Sequence, residues 1–66
     1  MASYYVNNNA QPNGDHEVHV QGCRYMPSNA QPLGSFTNCR DAVRAARQYY
    51  SQVNGCAFCS NECHTQ

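Results

Sequence analysis

Lysine, isoleucine and tryptophan are absent from the 66 residues, and leucine occurs once. Without lysine, four arginines stand against four acids for zero formal charge, which excludes the bulk basicity of a dedicated nucleic-acid-binding protein. Leu, Ile, Val and Phe together number eight. A length of 66 residues already excludes a two-domain architecture and any large enclosed active-site cavity, and the apolar supply is thin even for one domain. No apolar run approaches the roughly 20 residues of a membrane-spanning helix. The N-terminal stretch MASYYVNNN has neither a basic start nor an apolar segment, so no signal peptide is expected. These absences lead to the expectation of a single small cytoplasmic domain covering residues 1–66, monomeric and away from membranes. A core this poor needs a further source of stability, such as a metal or disulfides.

Five cysteines and three histidines are the candidates for that role. Five is an odd number, so the cysteines cannot all pair within one chain. In a reducing compartment clustered cysteines more often bind metal than pair.

Along the chain, residues 3–8 and 16–20 are β-prone and are separated by a turn carrying Gln11-Pro12-Asn13-Gly14. In the second segment His16, Val18 and Val20 alternate with Glu17 and His19, the mark of a short strand. The two segments are expected to form a hairpin, with a third short strand at 33–36. The motif Asn9-Ala10-Gln11-Pro12-x-Gly14 recurs as Asn29-Ala30-Gln31-Pro32-x-Gly34 and reads as reused turn chemistry. Asn38 as cap with Asp41 three residues on begins a helix. Cys39, Ala42, Val43, Ala46, Tyr50 and Val53 then share one helical face, which predicts a helix over 39–54 stopped by Gly55. A Cys-rich segment, 55–66, follows. The fold class expected is α+β: a small antiparallel sheet of two or three short strands packed on one helix and closed by a Cys-rich knuckle.

Cys56 and Cys59 form a CxxC pair. Two intervening residues let both sulfurs reach one ion at about 2.3 Å. A redox dithiol normally opens a helix, where the macrodipole stabilises its thiolate; this pair follows the expected helix, which argues for metal. His19 and Cys23, a strand residue and a turn residue with Gly22 between them, supply the best partner pair. The set His19, Cys23, Cys56 and Cys59 is all nitrogen and sulfur, which favours one zinc ion and leaves no open position. Cys39, Cys63, His64 and His16 are alternates. Cys39 also fits the apolar helix stripe as a core residue, and Cys63-His64 reads as a frayed tail. The run His16-Glu17-Val18-His19 is not a metalloprotease motif, which needs HExxH on a helix.

The pattern His19-x-x-x-Cys23, Phe36-x-Asn38-x-x-Asp41-Ala42 and Cys56-x-x-Cys59 resembles the Ada-like metal-binding domain family. These are the zinc domain of the Ada DNA-repair protein and related bacterial modules, and the match runs over residues 18–59. The resemblance implies a small sheet on a helix, with zinc joining a β-turn to the knuckle. His19 stands where Ada has its methyl-accepting cysteine, and an imidazole cannot act as that thiolate. Phosphotriester repair is therefore not expected. The expected helix is also longer than the family's.

No complete catalytic constellation is evident. The leading expectation is a non-catalytic, zinc-binding interaction or accessory module with a protein or anionic partner. The alternative is thiol-reactive or redox-sensing chemistry, through zinc thiolates or through Cys39 and Cys63. Arg40, Arg44 and Arg47 share a helix flank. They read either as a solvated face or as a weak strip for nucleic acid or another anionic partner.

Overall fold

The computed structural model describes residues 1–64. Its elements are β1 (Ala2–Asn7), β2 (His16–Val20), β3 (Ala30–Phe36), α1 (Cys39–Ala46), β4 (Val53–Gly55) and a short 3-10 helix (Asn61–Cys63). The four strands form one sheet in the order β3-β1-β2-β4. β1 runs antiparallel to β2 and to β3, and β4 runs parallel to β2. The fold is thus α+β, with one helix on a mixed four-stranded sheet.

The register follows from the alternation in the two central strands. Tyr4 pairs with Val20 and Val6 with Val18, which puts these four side chains on one face. That face meets the helix stripe Cys39, Ala42, Val43 and Ala46, and Val6, Val18, Ala42 and Ala46 are fully buried there. The helix begins as expected: Asn38 Oδ1 accepts from the Asp41 backbone N–H at 2.9 Å, satisfying a donor with no intrahelical partner. On this packing, Val43→Asp should cost several kcal/mol by burying an unpaired charge. Arg44→Ala, on the exposed side, should cost less than about 0.5 kcal/mol. Denaturant midpoints of the two variants measure the difference, and equal losses would place the core on the wrong face.

The structure corrects the expected elements in three places. The helix ends at Ala46, not at 54. Tyr49 N and Tyr50 N both return to Ala46 O, closing the last turn. Tyr50 then leaves the helix and stacks on His16 at 3.7 Å between ring centres, with its hydroxyl donating to Asn8 Oδ1 at 2.6 Å. Residues 53–55 become β4, because the open edge of β2 offers backbone groups that need partners. The third strand starts at Ala30 rather than 33, and with β4 the sheet has four strands, one of them parallel. The second copy of the repeated motif therefore lies within a strand, where the β1–β3 register shifts. Gly14 (φ 94°) and Gly34 (φ 115°) both take a positive φ, so the shared chemistry persists in two different settings.

The third correction concerns the cysteines. Cys39, at the start of α1, is joined to Cys63 by a disulfide. Cys63 is thus part of the fold and not a frayed end, and neither residue is a free nucleophile. Residues 60–64 turn back over Gly55: Cys63 N donates to Ser60 O at 2.9 Å and His64 Nδ1 to Gly55 O at 3.0 Å. The last two residues of the expected segment 55–66 lie outside the described residues.

Candidate metal centre

Along β2, His19 points to the face opposite the helix, because Val18 and Val20 take the helix face. It is 1% exposed nonetheless, so something other than the hydrophobic core covers it. The cover is the chain that follows β4. The parallel register matches Val18 with Gly55, and Cys56 N donates to Val18 O at 2.9 Å. One step further along that register sets Cys56 beside His19. The chain then turns through Ala57 and Phe58, and Ser60 N donates back to Cys56 O at 2.9 Å. This turn brings Cys59 Sγ to 3.4 Å from the Val20 backbone N–H, where a next strand residue would have placed its carbonyl.

The fourth member comes from the turn after β2. Cys23 N donates to Val20 O at 3.0 Å, and Met26 N donates to Cys23 O at 3.0 Å. Gly22 has a φ of 92°, a left-handed conformation that strains any residue with a Cβ. That bend turns the Cys23 side chain back toward β4.

The donor atoms of His19, Cys23, Cys56 and Cys59 all lie within 4.8 Å of one another. A tetrahedral ion about 2.3 Å from two thiolates holds the sulfurs about 3.8 Å apart. Cys23 Sγ and Cys56 Sγ are 3.9 Å apart, and Cys59 Sγ is 3.8 Å from His19 Nδ1. The group can therefore hold one metal ion. His19 offers Nδ1 to the cluster while its Nε2 faces Glu17 Oε1 at 3.4 Å. A carboxylate on the far nitrogen keeps the proton there and fixes the ring for a ligand role. Glu17 was not expected as part of the site. Its signal in the sequence is its place two residues before His19, on the same strand face.

Burial lowers the His19 pKa, and the Glu17 carboxylate opposes this in part. Burial first, and then hydrogen bonding with Cys23, pushes the Cys59 thiol up to about 12, against the lowering effect of the Val20 N–H. A metal ion taken up near neutral pH must therefore displace the Cys59 proton. Each displaced proton makes the apparent affinity about tenfold higher per pH unit. Affinity should rise by at least that factor for each unit between pH 6 and 8, read by competition with a chromophoric chelator. A pH-independent affinity would exclude thiolate coordination.

The alternates do not join the cluster. Cys39 and Cys63 are consumed by their disulfide. His64 is bonded to Gly55 O, and His16 is stacked on Tyr50 with its Nδ1 donating to Asn7 O at 2.9 Å. Arg40, Arg44 and Arg47 are exposed along α1 and its cap, as their spacing indicated.

A second cluster, not expected from the sequence, lies on the loops that carry the donors. Tyr25 and Phe58 are 60% and 58% exposed, and their rings meet edge to face at 5.3 Å. The Arg24 guanidinium lies 5.9 Å from the Tyr25 ring centre and 5.7 Å from that of Phe58. The readable signal was position: Arg24 and Tyr25 follow Cys23 directly, and Phe58 sits inside the CxxC pair. No family model, curated protein or solved structure matches the chain. Among the described residues no helix is long and apolar enough to cross a membrane.

Proposed function

We propose that the protein is a non-catalytic, zinc-stabilised interaction module. The observation that carries this reading is the convergence of three cysteine sulfurs and one imidazole nitrogen within 4.8 Å, a donor set that suits zinc and uses all four tetrahedral positions. With those positions filled by protein, an ion supplies stability and has no site for substrate. The resemblance to Ada-like metal-binding domains supports the same ion, with His19 in place of the reactive cysteine.

The contact face we assign is Arg24, Tyr25 and Phe58. Exposed aromatic rings beside an arginine have the composition of interface hot spots. Both loops end on proposed ligands, so the ion would hold this face in shape. Its partner is a protein segment bearing an acid beside an apolar side chain, matching a guanidinium next to two rings. In the helix strip Arg40, Arg44 and Arg47, no guanidinium lies over an aromatic ring of the described residues as that of Arg24 does, and the strip serves as a solvated face.

Metal analysis of protein purified without added metal or chelator tests the core of the proposal. About one zinc per chain is expected, and replacement by cobalt should give the intense visible absorption of a tetrahedral thiolate site. A metal-free protein with dispersed amide resonances would refute the reading. Titration of a short acidic, phenylalanine-containing peptide should shift the amides of residues 24, 25 and 58. Shifts along α1 with single-stranded DNA instead would move the contact face to the arginine strip.

A cytoplasmic setting suits the three thiolates, whereas the Cys39–Cys63 disulfide suits oxidising surroundings.

A further inference from the structure

Both kinds of cysteine chemistry meet in the eight residues from Cys56 to Cys63. Cys56 and Cys59 contribute two of the four clustered donors, and Cys63, four residues after Cys59, is tied to the first residue of α1. We infer that the Cys39–Cys63 disulfide is a redox control on the metal centre, so that the ion is held tightly when the bond is closed and released more readily when it is open. This inference rests on the zinc-binding reading above.

The coupling follows from how the knuckle is held. Cys59 is half-buried, and its sulfur meets the sheet edge through the Val20 N–H at 3.4 Å. Directly after it, residues 60–63 pass over Gly55 at close range: a Cβ built on Gly55 would lie 2.7 Å from the Cys63 Cβ and from Ser60 O. The disulfide presses this short segment against β4 and so fixes where the loop from Cys56 to Cys59 must end. The same segment closes a covalent ring between residues 24 positions apart, which limits the freedom of β4 and the CxxC pair before metal arrives. With the disulfide open, the knuckle must be ordered as part of metal uptake, and that cost falls on the affinity.

The chemistry balances with a thiol reductant. A dithiol transfers two electrons and two protons to the bond, the sulfur–sulfur bond breaks, two thiols form on Cys39 and Cys63, and the reductant becomes a disulfide. Cys63 is half-buried and Cys39 buried, so Cys63 is the more exposed end of the bond. By reciprocity, bound metal must protect the disulfide by the factor by which the disulfide strengthens metal binding.

The test compares zinc affinity, by chelator competition, in three samples. These are the oxidised protein, the protein reduced with a water-soluble phosphine that competes little for zinc, and the double variant Cys39→Ala/Cys63→Ala. Thiol counts by alkylation and mass should give three in the denatured, metal-stripped oxidised sample and five in the reduced one. The expected result is about tenfold weaker zinc binding in both the reduced protein and the double variant, within the range of typical coupled sites. A double variant that fails to fold without zinc still reports through its affinity, and the reduced wild type reports independently of substitution. Equal or tighter binding after reduction would overturn the coupling while leaving the zinc site intact. Absence of zinc uptake by the oxidised protein would overturn the metal reading itself.

Discussion

Cys59→Ser is expected to leave a chain that is largely unfolded at ambient temperature and carries far less than one metal ion. A structural zinc ion contributes about 10–16 kcal/mol of apparent binding free energy near neutral pH. The whole stability of a domain is commonly about 5–15 kcal/mol, and this core rests on few large side chains. Val6 and Val18 are the largest aliphatic side chains that are fully buried. Cys59 is the informative position because its sulfur joins the knuckle to the β2 edge, whereas Cys56 is also held through its own backbone bond to Val18 O. Loss of amide dispersion and of bound metal would be read together. Cys59→His provides the control: two cysteines and two histidines still make a closed site, so part of the metal and of the fold should return. A Cys59→Ser protein that melts like the parent would show that the disulfide and the sheet suffice without the ion.

Gly55→Ala is expected to be the most damaging single-methyl change in the chain, costing about 3 kcal/mol or more, at or above the upper end of ordinary overpacking. The added carbon would meet Ser60 O at 2.7 Å and the Cys63 carbonyl carbon at 2.9 Å. These are backbone atoms, and no rotamer change can clear them. The 60–64 segment must lift from β4, which draws Cys63 away from Cys39. Two readouts follow: a lower denaturant midpoint, and, after a limiting dose of a dithiol reductant, a larger share of molecules with five alkylated thiols instead of three. Gly22→Ala separates this effect from backbone strain. Nothing lies within 4 Å of a Cβ at Gly22, whose φ is 92°, so its cost is the left-handed conformation alone, about 1–2 kcal/mol. Equal losses at the two glycines would show that the close approach over β4 does not matter.

The four clustered donors were legible because their grouping is local. His19 and Cys23 span one strand end and its turn, and Cys56 and Cys59 share one knuckle, so each pair could be recognised from spacing before the sheet was known. The strand at 16–20 was legible from strict alternation. The end of the helix was not. Tyr50 and Val53 keep the apolar phase of the helix, yet both also satisfy the sheet: Tyr50 by stacking on His16, and Val53 by pairing beside it on the β2 edge. The competing demand came from His16, 34 residues before Tyr50 and 37 before Val53, which no local window contains. The disulfide was hidden in the same way, because Cys39 fits the helix stripe so well that packing alone accounts for it. The arithmetic of the cysteines held the missing clue. Three thiolates in a closed Cys3His site leave two of the five over, and two is a pair.

The ring closed by Cys39 and Cys63 divides the chain unequally. α1, β4, Cys56 and Cys59 lie within it, while the hairpin, β3, His19 and Cys23 lie outside. All four arginines are sites for trypsin, and Arg40, Arg44 and Arg47 lie inside the ring: cleavage after any of these three opens the ring but leaves its halves joined through sulfur. A cut after exposed Arg24 separates the polypeptide that bears His19 and Cys23 from the one that bears Cys56 and Cys59. Sheet pairing, the packing of the hairpin on α1 and a shared ion would then keep those two fragments together. A protein nicked at Arg24 would thus become a two-piece complex whose dissociation by a chelator can be watched on a sizing column.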